Sequence, residues 1–255
     1  MQHLPVPVPP VPDSIFDAGN SAFDRAHTLR QQEIRRQHRR GIPGVIAAAG
    51  LGYLLALLIP VTPANPGLLA AVLILGLPAA VAHRAYRTGP EVRRLRDDAG
   101  GELITACLLN PLTQHGWYLL HDRRTEADSN LNHVCLLPDG TAAFYIASQT
   151  FTNRRSVVRL DGDTLCCGGR VCGSTVTGIK REARYLSTAL GVPVTPVIAV
   201  HGATVPGGRI RGEGITIVSA ALLVPELTSV LHRTVPAAAD QLTRRAATAL
   251  PRHTR

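Results

Sequence analysis

Five cysteines are the residues of this sequence with the clearest capacity for metal or thiol chemistry. Cys166 and Cys167 are adjacent and Cys172 follows five residues later, whereas Cys107 and Cys135 are isolated. This spacing is not one of the paired arrangements typical of zinc sites, and no histidine lies near it in the sequence. A metal site and small apolar residues around a hairpin both stay open, and we expect reduced thiols in a cytoplasmic domain.

Two arginine pairs have the chemistry to contact phosphates. They are Arg123-Arg124 and Arg154-Arg155, each close to the end of a strand-like segment. Guanidinium groups form strong hydrogen bonds with phosphate oxygens, so these four residues are our candidate nucleic-acid-binding residues. Solvated loop arginines look the same in a sequence, and that alternative stays open.

The segment after residue 99 has the order of elements expected for an α/β domain. Gly100-Gly101-Glu102 opens an amphipathic helix, and Pro138-Asp139-Gly140 is typical of a hairpin turn. Strands are predicted at residues 117–121, 131–137, 142–146, 156–160, 164–167, 194–200 and 215–218, and further helices at 176–190, 225–231 and 237–250. This order predicts a mixed sheet flanked by helices.

These residues, in this order, resemble the nuclease-related domain, NERD, over about residues 99–231. The resemblance rests on Gly100-Gly101-Glu102, GWYLLHD at 116–122, NLNH at 130–133, the Pro138-Asp139-Gly140 turn and YIASQTF at 145–151. The family is similar to restriction-endonuclease-like proteins with the PD-(D/E)xK arrangement. This similarity implies a restriction-endonuclease-like fold.

The resemblance also implies four site positions, of which three have lost their chemistry. In such nucleases acidic side chains hold Mg²⁺, the metal activates water and a lysine assists; the corresponding positions here are Glu102, Asn132, Ala147 and Gln149. Only Glu102 keeps an acid, and a carboxylate near a helix start is also stabilised by the helix dipole. We therefore expect no catalytic residue and no metal, with Mg²⁺ relevant only to a divergent nuclease.

Other residues near these positions have ordinary structural interpretations. Asp139, Asp161 and Asp163 could supply replacement ligands, but aspartate is common in turns. His133 follows the lost acid at Asn132 by one residue, and we expect it to be a hydrogen-bonded strand histidine instead of a general base.

Residues 41–83 contain 43 consecutive positions without Asp, Glu, Lys or Arg. One bilayer crossing needs about 20 apolar residues, and Pro63 and Pro66 interrupt the stretch. We predict a transmembrane helical hairpin with spans at about 44–61 and 67–82. Arginines at both ends of the stretch predict a cell-membrane protein with both termini cytoplasmic and the lipid bilayer as a partner. Two buried core helices are the alternative.

The predicted organisation has six segments. They are a disordered Pro/Val arm at 1–12, a basic juxtamembrane helix at 13–40, the two transmembrane helices within 41–83, a basic linker helix at 84–98, the NERD-like domain at 99–231 and a basic C-terminal tail at 232–255. The net charge of +9 permits nucleic-acid binding without requiring it, since membrane orientation also accounts for flanking cations.

Three functions follow from these patterns. The first is a membrane-anchored, catalytically inactive NERD-like domain that binds DNA, RNA, or a membrane or cytoplasmic protein. The second is a divergent Mg²⁺-dependent nuclease with replaced ligands. The third is a structural membrane protein that oligomerises through the hairpin. The sequence names neither a partner nor an oligomeric state.

Overall fold

The structure, a computed structural model, describes residues 13–58, 71–125, 129–172, 175–229 and 236–252. The predicted Pro/Val arm and the predicted interspan turn at 61–66 lie outside these residues. The chain divides into two compact units, Arg25–Leu95 and a larger one formed by Met1–Asp24 with Arg96–Arg255. All nine strands of the described part belong to the larger unit.

The smaller unit is helical. Its described elements are most of α1 (Asn20–Leu58), a π-helical turn (Val72–Gly76), α2 (Leu77–Ala85) and the start of α3 (Pro90–Leu109). Arg30 of α1 donates to the carbonyl of Tyr86 at 3.3 Å, and Glu33 accepts from the backbone N–H of Gly89 at 3.3 Å. Part of the basic stretch therefore holds the connection between α2 and α3.

The predicted transmembrane hairpin is wrong. No helix among the described residues is both long and apolar enough to cross a bilayer. α1 has 39 residues, but it joins the arginine-rich stretch directly to the apolar one and contains Pro43. α2 has nine residues and continues directly from the π-helical turn at Val72–Gly76. The predicted cell-membrane localisation and the cytoplasmic termini that depended on it are corrected with the hairpin.

The predicted juxtamembrane and linker helices also have different bounds. A short 3₁₀ turn, Ile15–Asp17, is capped by Ser14, whose hydroxyl accepts from the N–H of Phe16 at 3.3 Å, and α1 starts only after it. α3 continues from Pro90 through the glycine pair to Leu109. The linker and the predicted first helix of the domain are therefore one helix.

The larger unit is built on a six-stranded mixed sheet, so the predicted α/β class is confirmed. Its strands are β1 (Tyr118–Arg124), β2 (Asn130–Leu136), β3 (Ala143–Thr150), β7 (Val194–His201), β8 (Arg209–Gly212) and β9 (Ile215–Ser219). Their order is β1-β2-β3-β7-β9-β8. β1, β2 and β3 pair antiparallel, β3, β7 and β9 pair parallel, and β8 is antiparallel to β9.

A smaller three-stranded sheet follows β3. It consists of β4 (Val158–Asp161), β5 (Thr164–Cys167) and β6 (Arg170–Val171), all antiparallel. The predicted hairpin turn between β4 and β5 is confirmed, with Gly162 at φ +54°, a conformation that glycine adopts without strain. In addition to parts of α1 and α3, the described residues of this unit form α4 (Thr175–Leu190), α5 (Leu223–Thr228) and α6 (Pro236–Ala249).

Strand alternation separates two apolar cores, one on each face of the main sheet. On β3, Tyr145 and Ala147 join the core that contains side chains of α4 and α6, whereas Phe144 and Ile146 join the core that contains the end of α3 and α5. Successive strand residues point to opposite faces, so a central strand serves both cores. Each fully buried Leu or Ile in these cores contributes roughly 1.5–3 kcal/mol.

In the glycine pair of α3, packing against the sheet requires glycine at one of the two positions. A Cβ added at Gly101 would collide with the hydroxyl of Thr150 on β3 and lie 3.4 Å from Cδ2 of His201 on β7. A Cβ at Gly100 would meet nothing within 4 Å. Of the two glycines, only Gly101 therefore lies closely against the sheet.

We expect Gly101→Ala to destabilise the protein by about 1–3 kcal/mol, because Thr150 or the helix must move to admit the methyl group. Gly100→Ala is the matched control, and we expect it to stabilise by about 0.5–1 kcal/mol through helix propensity. Urea unfolding of both variants measures the difference. Equal behaviour of the two alanine variants would contradict the close approach.

Candidate functional site

The four positions implied by the family resemblance lie on α3, β2 and β3. Glu102 is buried on α3, Asn132 lies on β2, and Ala147 and Gln149 lie on β3. His133 pairs with Ile146 in the β2–β3 register, which places Asn132 next to Ala147 along the ladder. The strands thus bring Asn132 and Ala147 together, with Gln149 two residues further along β3.

Two of these side chains bind backbone atoms of Ser148 on β3. The Asn132 side-chain oxygen accepts from the N–H of Ser148 at 3.3 Å, and the Gln149 amide donates to the Ser148 carbonyl at 3.2 Å. Ala147 is 3% exposed and belongs to the α4-side core. Amide groups tied to backbone and a buried methyl group offer no charged oxygen ligands, so this site does not fit Mg²⁺.

Two carboxylates near this position, Glu182 and Glu102, interact with the buried side chain of Tyr145. The Tyr145 hydroxyl, on the same side of β3 as Ala147, donates to the Glu182 carboxylate of α4 at 2.7 Å. Burial raises the pKa of Tyr145 well above its usual value, and the charges of Glu182 and Glu102 raise it further. Burial also raises the pKa of Glu182. Tyr145 therefore remains protonated and acts as a hydrogen-bond donor.

The described residues contain no group of three or more His, Cys, Asp or Glu side chains able to hold a metal ion. The cysteines are free thiols. Cys167 lies on β5 opposite Arg170, and Cys166 lies opposite Val171, so they flank a hairpin turn. Cys135 is fully buried in the α3-side core, and burial raises its pKa.

A continuous buried hydrogen-bonded chain runs through the α3 side of the sheet. His121 Nδ1 lies 2.9 Å from His133 Nδ1, His133 Nε2 lies 3.3 Å from Ser148 Oγ, and Ser148 Oγ donates to Thr105 Oγ1 at 2.7 Å. Thr105 Oγ1 lies 2.8 Å from His201 Nε2 at the end of β7. The five side chains come from α3, β1, β2, β3 and β7.

The directions of these hydrogen bonds define the tautomers. Thr105 donates to the carbonyl of Gly101 at 3.0 Å, so it accepts from both Ser148 and His201 Nε2. Ser148 donates its hydroxyl proton to Thr105, so it accepts from His133 Nε2–H. A neutral imidazole has one donor and one acceptor nitrogen. His133 Nδ1 is therefore the acceptor for His121 Nδ1–H. His133 is neutral in this arrangement, because it donates from Nε2 and accepts at Nδ1.

Burial keeps these histidines neutral. It lowers the pKa of His121 to about 4, although the charges of Asp13 and Asp17 oppose the shift. Burial lowers the pKa of His133 well below 6.5, and His121 and His201 lower it further. Burial also lowers the pKa of His201. His133 is closed to solvent, with 0% exposure, and both of its nitrogens are hydrogen-bonded, so it supports the sheet and is not placed to act as a general base.

Arg123 is occupied by a buried ion pair. Its Nε and terminal nitrogen donate to the two carboxylate oxygens of Asp13 at 2.9 and 2.6 Å, and its other nitrogen donates to the carbonyl of Leu250 at 2.8 Å. Arg252 also pairs with Asp13 at 2.8 Å. These bonds fasten Asp13 and the segment at residues 250–252 to the edge strand β1.

Next to Arg123, the backbone of β1 is strained. Asp122 has φ +50°, which is unfavourable for a residue with a side chain. Its buried carboxylate accepts from the N–H and the hydroxyl of Ser21, both at 2.6 Å. The contact with the first turn of α1 compensates for the strain.

The remaining predicted arginines differ in exposure. Arg124 is half-buried, and its N–H donates to the carbonyl of Pro251 at 3.2 Å. Arg154 and Arg155 are exposed in the loop after β3. Of the four arginines, these two are exposed, and they follow Gln149 of β3 in the chain.

Sequence reasoning missed the chain of buried polar side chains. Thr105, Ser148 and His201 come from three distant segments, and no motif links them to His121 or His133. The available signal was weak: a histidine and a serine interrupt otherwise apolar strand patterns at 133 and 148. A polar residue in a buried strand needs a hydrogen-bond partner, but the sequence does not say which one.

Neutral buried histidines predict that stability decreases in acid. In the unfolded chain a histidine takes up a proton near pH 6.5, whereas His121 in the folded protein takes one up only near pH 4. The unfolded state therefore holds more protons between these values, and the unfolding free energy falls as pH falls through this window. For His121 alone we expect a loss of about 2 kcal/mol between pH 7 and pH 5.

Urea unfolding at pH 5, 6 and 7 measures this dependence. His121→Gln keeps a donor toward His133 but cannot take up a proton, so it should reduce the slope. His115→Gln is the control, because His115 is exposed and its loss should leave the slope unchanged. An identical pH dependence in wild type and His121→Gln would contradict the assignment.

No protein-family model matches this chain, and neither a curated protein nor a solved structure matches it.

Proposed function

We propose that this protein binds nucleic acid without cleaving it, through the loop at residues 151–157. The observation that carries the proposal is the position of Arg154 and Arg155, which are exposed in this loop just beyond Gln149. Neither forms an ion pair with another described residue. Both guanidinium groups are therefore available to phosphates.

The location of the loop supports a ligand-binding role. It follows β3 and is joined to the segment after the parallel strand β7: Phe151 N–H donates to the His201 carbonyl, and Thr204 N–H donates to the Ser156 carbonyl, both at 2.9 Å. In open α/β sheets, ligands bind outside the carboxyl ends of parallel strands. The arginine loop lies at this edge.

The residues at the family positions support binding without hydrolysis. Hydrolysis by the nuclease mechanism needs acidic side chains that hold Mg²⁺, and Asn132, Ala147 and Gln149 supply none. The resemblance to the nuclease-related domain then favours a protein that keeps the association with nucleic acid and has lost the chemistry. A membrane anchor has no part in this proposal.

We expect the full-length protein to bind a labelled DNA oligonucleotide at low salt, with affinity that falls steeply as salt increases. Replacing both Arg154 and Arg155 with Gln should reduce the slope of log K against log salt by about 2, because two phosphate contacts are lost. Fluorescence anisotropy at several salt concentrations measures both quantities.

The control for this measurement is Arg181→Gln with Arg184→Gln, two exposed arginines of α4. It removes the same charge from a different surface and should change the slope much less. Absence of binding by the wild type at low salt would rule out the proposed function, and equal effects of the two double variants would rule out the loop.

We also expect Mg²⁺ to cause no cleavage of duplex or single-stranded DNA, because three of the four family positions lack the required groups. Incubation with and without Mg²⁺, followed by gel analysis, tests this. Metal-dependent cleavage by the wild type that is abolished in Glu102→Ala would instead establish a divergent nuclease.

A further inference from the structure

A cleft of about 600 Å³ opens on the α4 side of the main sheet, at the start of β7. Pro193, Val194 and Pro196 line it there, and the Pro193 carbonyl accepts from the N–H of Ala143, the first residue of β3, at 2.9 Å. Because β3 and β7 run parallel, the cleft lies at the amino ends of these strands, whereas the arginine loop follows the carboxyl end of β3. Clefts of roughly 300–1,000 Å³ are typical of small-molecule sites.

One face of α4 forms a wall of this cleft. Four residues of the helix line it: Lys180, Ala183, Arg184 and Ser187. Their spacing of three, four and seven residues places them on one stripe of the helix. The Lys180 ammonium pairs with the Asp163 carboxylate of the β4–β5 turn at 2.5 Å. Arg184 is exposed and forms no ion pair with another described residue, so its guanidinium group is available to a ligand.

The turn between β8 and β9 supplies a negative charge to the same cleft. Glu213 and Gly214 form this turn and line the cleft, and Glu213 is exposed. The Glu213 carboxylate forms no ion pair with a described residue, so it lies more than 4.0 Å from the Arg184 guanidinium. The cleft thus contains a positive and a negative group that do not neutralise each other.

This distribution of charge selects a class of ligand. Arginine binds a carboxylate through two parallel hydrogen bonds, and an ionised carboxylate such as that of Glu213 accepts from an ammonium group. The apolar side chains of Val194 and Pro196 offer contact to an apolar group. A polyanion such as nucleic acid does not fit, because Asp163 and Glu213 would repel its phosphates.

We infer that this cleft binds a small zwitterion with an apolar side chain, namely an amino acid or a short peptide. The carboxylate of the ligand binds Arg184, its ammonium group binds Glu213, and its side chain contacts Val194 and Pro196. This ligand site is independent of the proposed function, because it uses neither the arginine loop nor phosphate recognition.

The experiment titrates the full-length protein with L-leucine and with the dipeptide alanyl-leucine while amide NMR resonances are recorded. We expect saturable shifts of the resonances at residues 180–187 and 213–214. Arg184→Gln and Glu213→Gln should each weaken binding about tenfold, because each removes one hydrogen bond between charged groups. Arg244→Gln and Asp240→Asn, at exposed sites of α6, are the matched controls and should leave the affinity unchanged.

Blocked forms of leucine assign each charge of the ligand to its residue. N-acetyl-leucine lacks the ammonium group, so we expect Glu213→Gln to leave its affinity unchanged and Arg184→Gln to weaken its binding. Leucinamide lacks the carboxylate, and for it we expect the reverse. If N-acetyl-leucinamide, which has neither charge, binds as tightly as leucine, recognition of a zwitterion is refuted.

The outcomes also separate this site from nucleic-acid binding. Replacing Arg154 and Arg155 with Gln should leave leucine binding intact, whereas replacing Arg181 and Arg184 with Gln should weaken it. A wild type that binds neither leucine nor the dipeptide would refute the cleft as a ligand site, and so would equal effects of the cleft variants and the α6 variants. Either result leaves the proposal for the arginine loop to be decided by the DNA measurements alone.

Discussion

Strand β3 is the element on which both faces of the larger unit depend. It pairs antiparallel with β2 and parallel with β7, so it is the point where the sheet changes direction. Its odd-numbered residues from Tyr145 face the α4-side core, and its even-numbered residues from Phe144 face the α3-side core. Because the side-chain period of a strand is two, a slip of one residue would exchange these sets and bury polar groups without partners.

Because both faces of β3 are buried, a polar residue on this strand needs hydrogen-bond partners inside the protein. Ser148 lies on the α3 side of β3, where it connects His133 of β2 to Thr105 of α3. Buried polar groups are tolerated only when they are hydrogen-bonded, and here each imidazole nitrogen described in the chain has a defined role as donor or acceptor. The same constraint explains why His133 cannot serve as a catalytic base: its nitrogens are committed and it has no access to solvent.

The local order of elements was largely predictable, and their associations were not. Turn residues such as Pro138-Asp139-Gly140 and Asp161-Gly162-Asp163 located two hairpins, because their backbone preferences act within a few residues. The apolar stretch after Gly41 was misinterpreted as two spans, because a count of uncharged residues does not show where helices begin or how they are interrupted. α1 continues from the charged segment, and a π-helical turn precedes α2. Residues 59–70, within that stretch, are outside the described part.

For the candidate site, the sequence by itself determined which chemistry is present: Asn132, Ala147 and Gln149 cannot supply acidic ligands wherever they lie, and Arg154 and Arg155 carry charge in any fold. Only the tertiary structure decided which groups are available. It committed Arg123 to Asp13 and left Arg154 exposed. The physical reason is that side-chain chemistry is a property of each residue, whereas burial and pairing depend on residues far apart in the chain, such as Asp13 and Arg123, that meet only when the sheet forms.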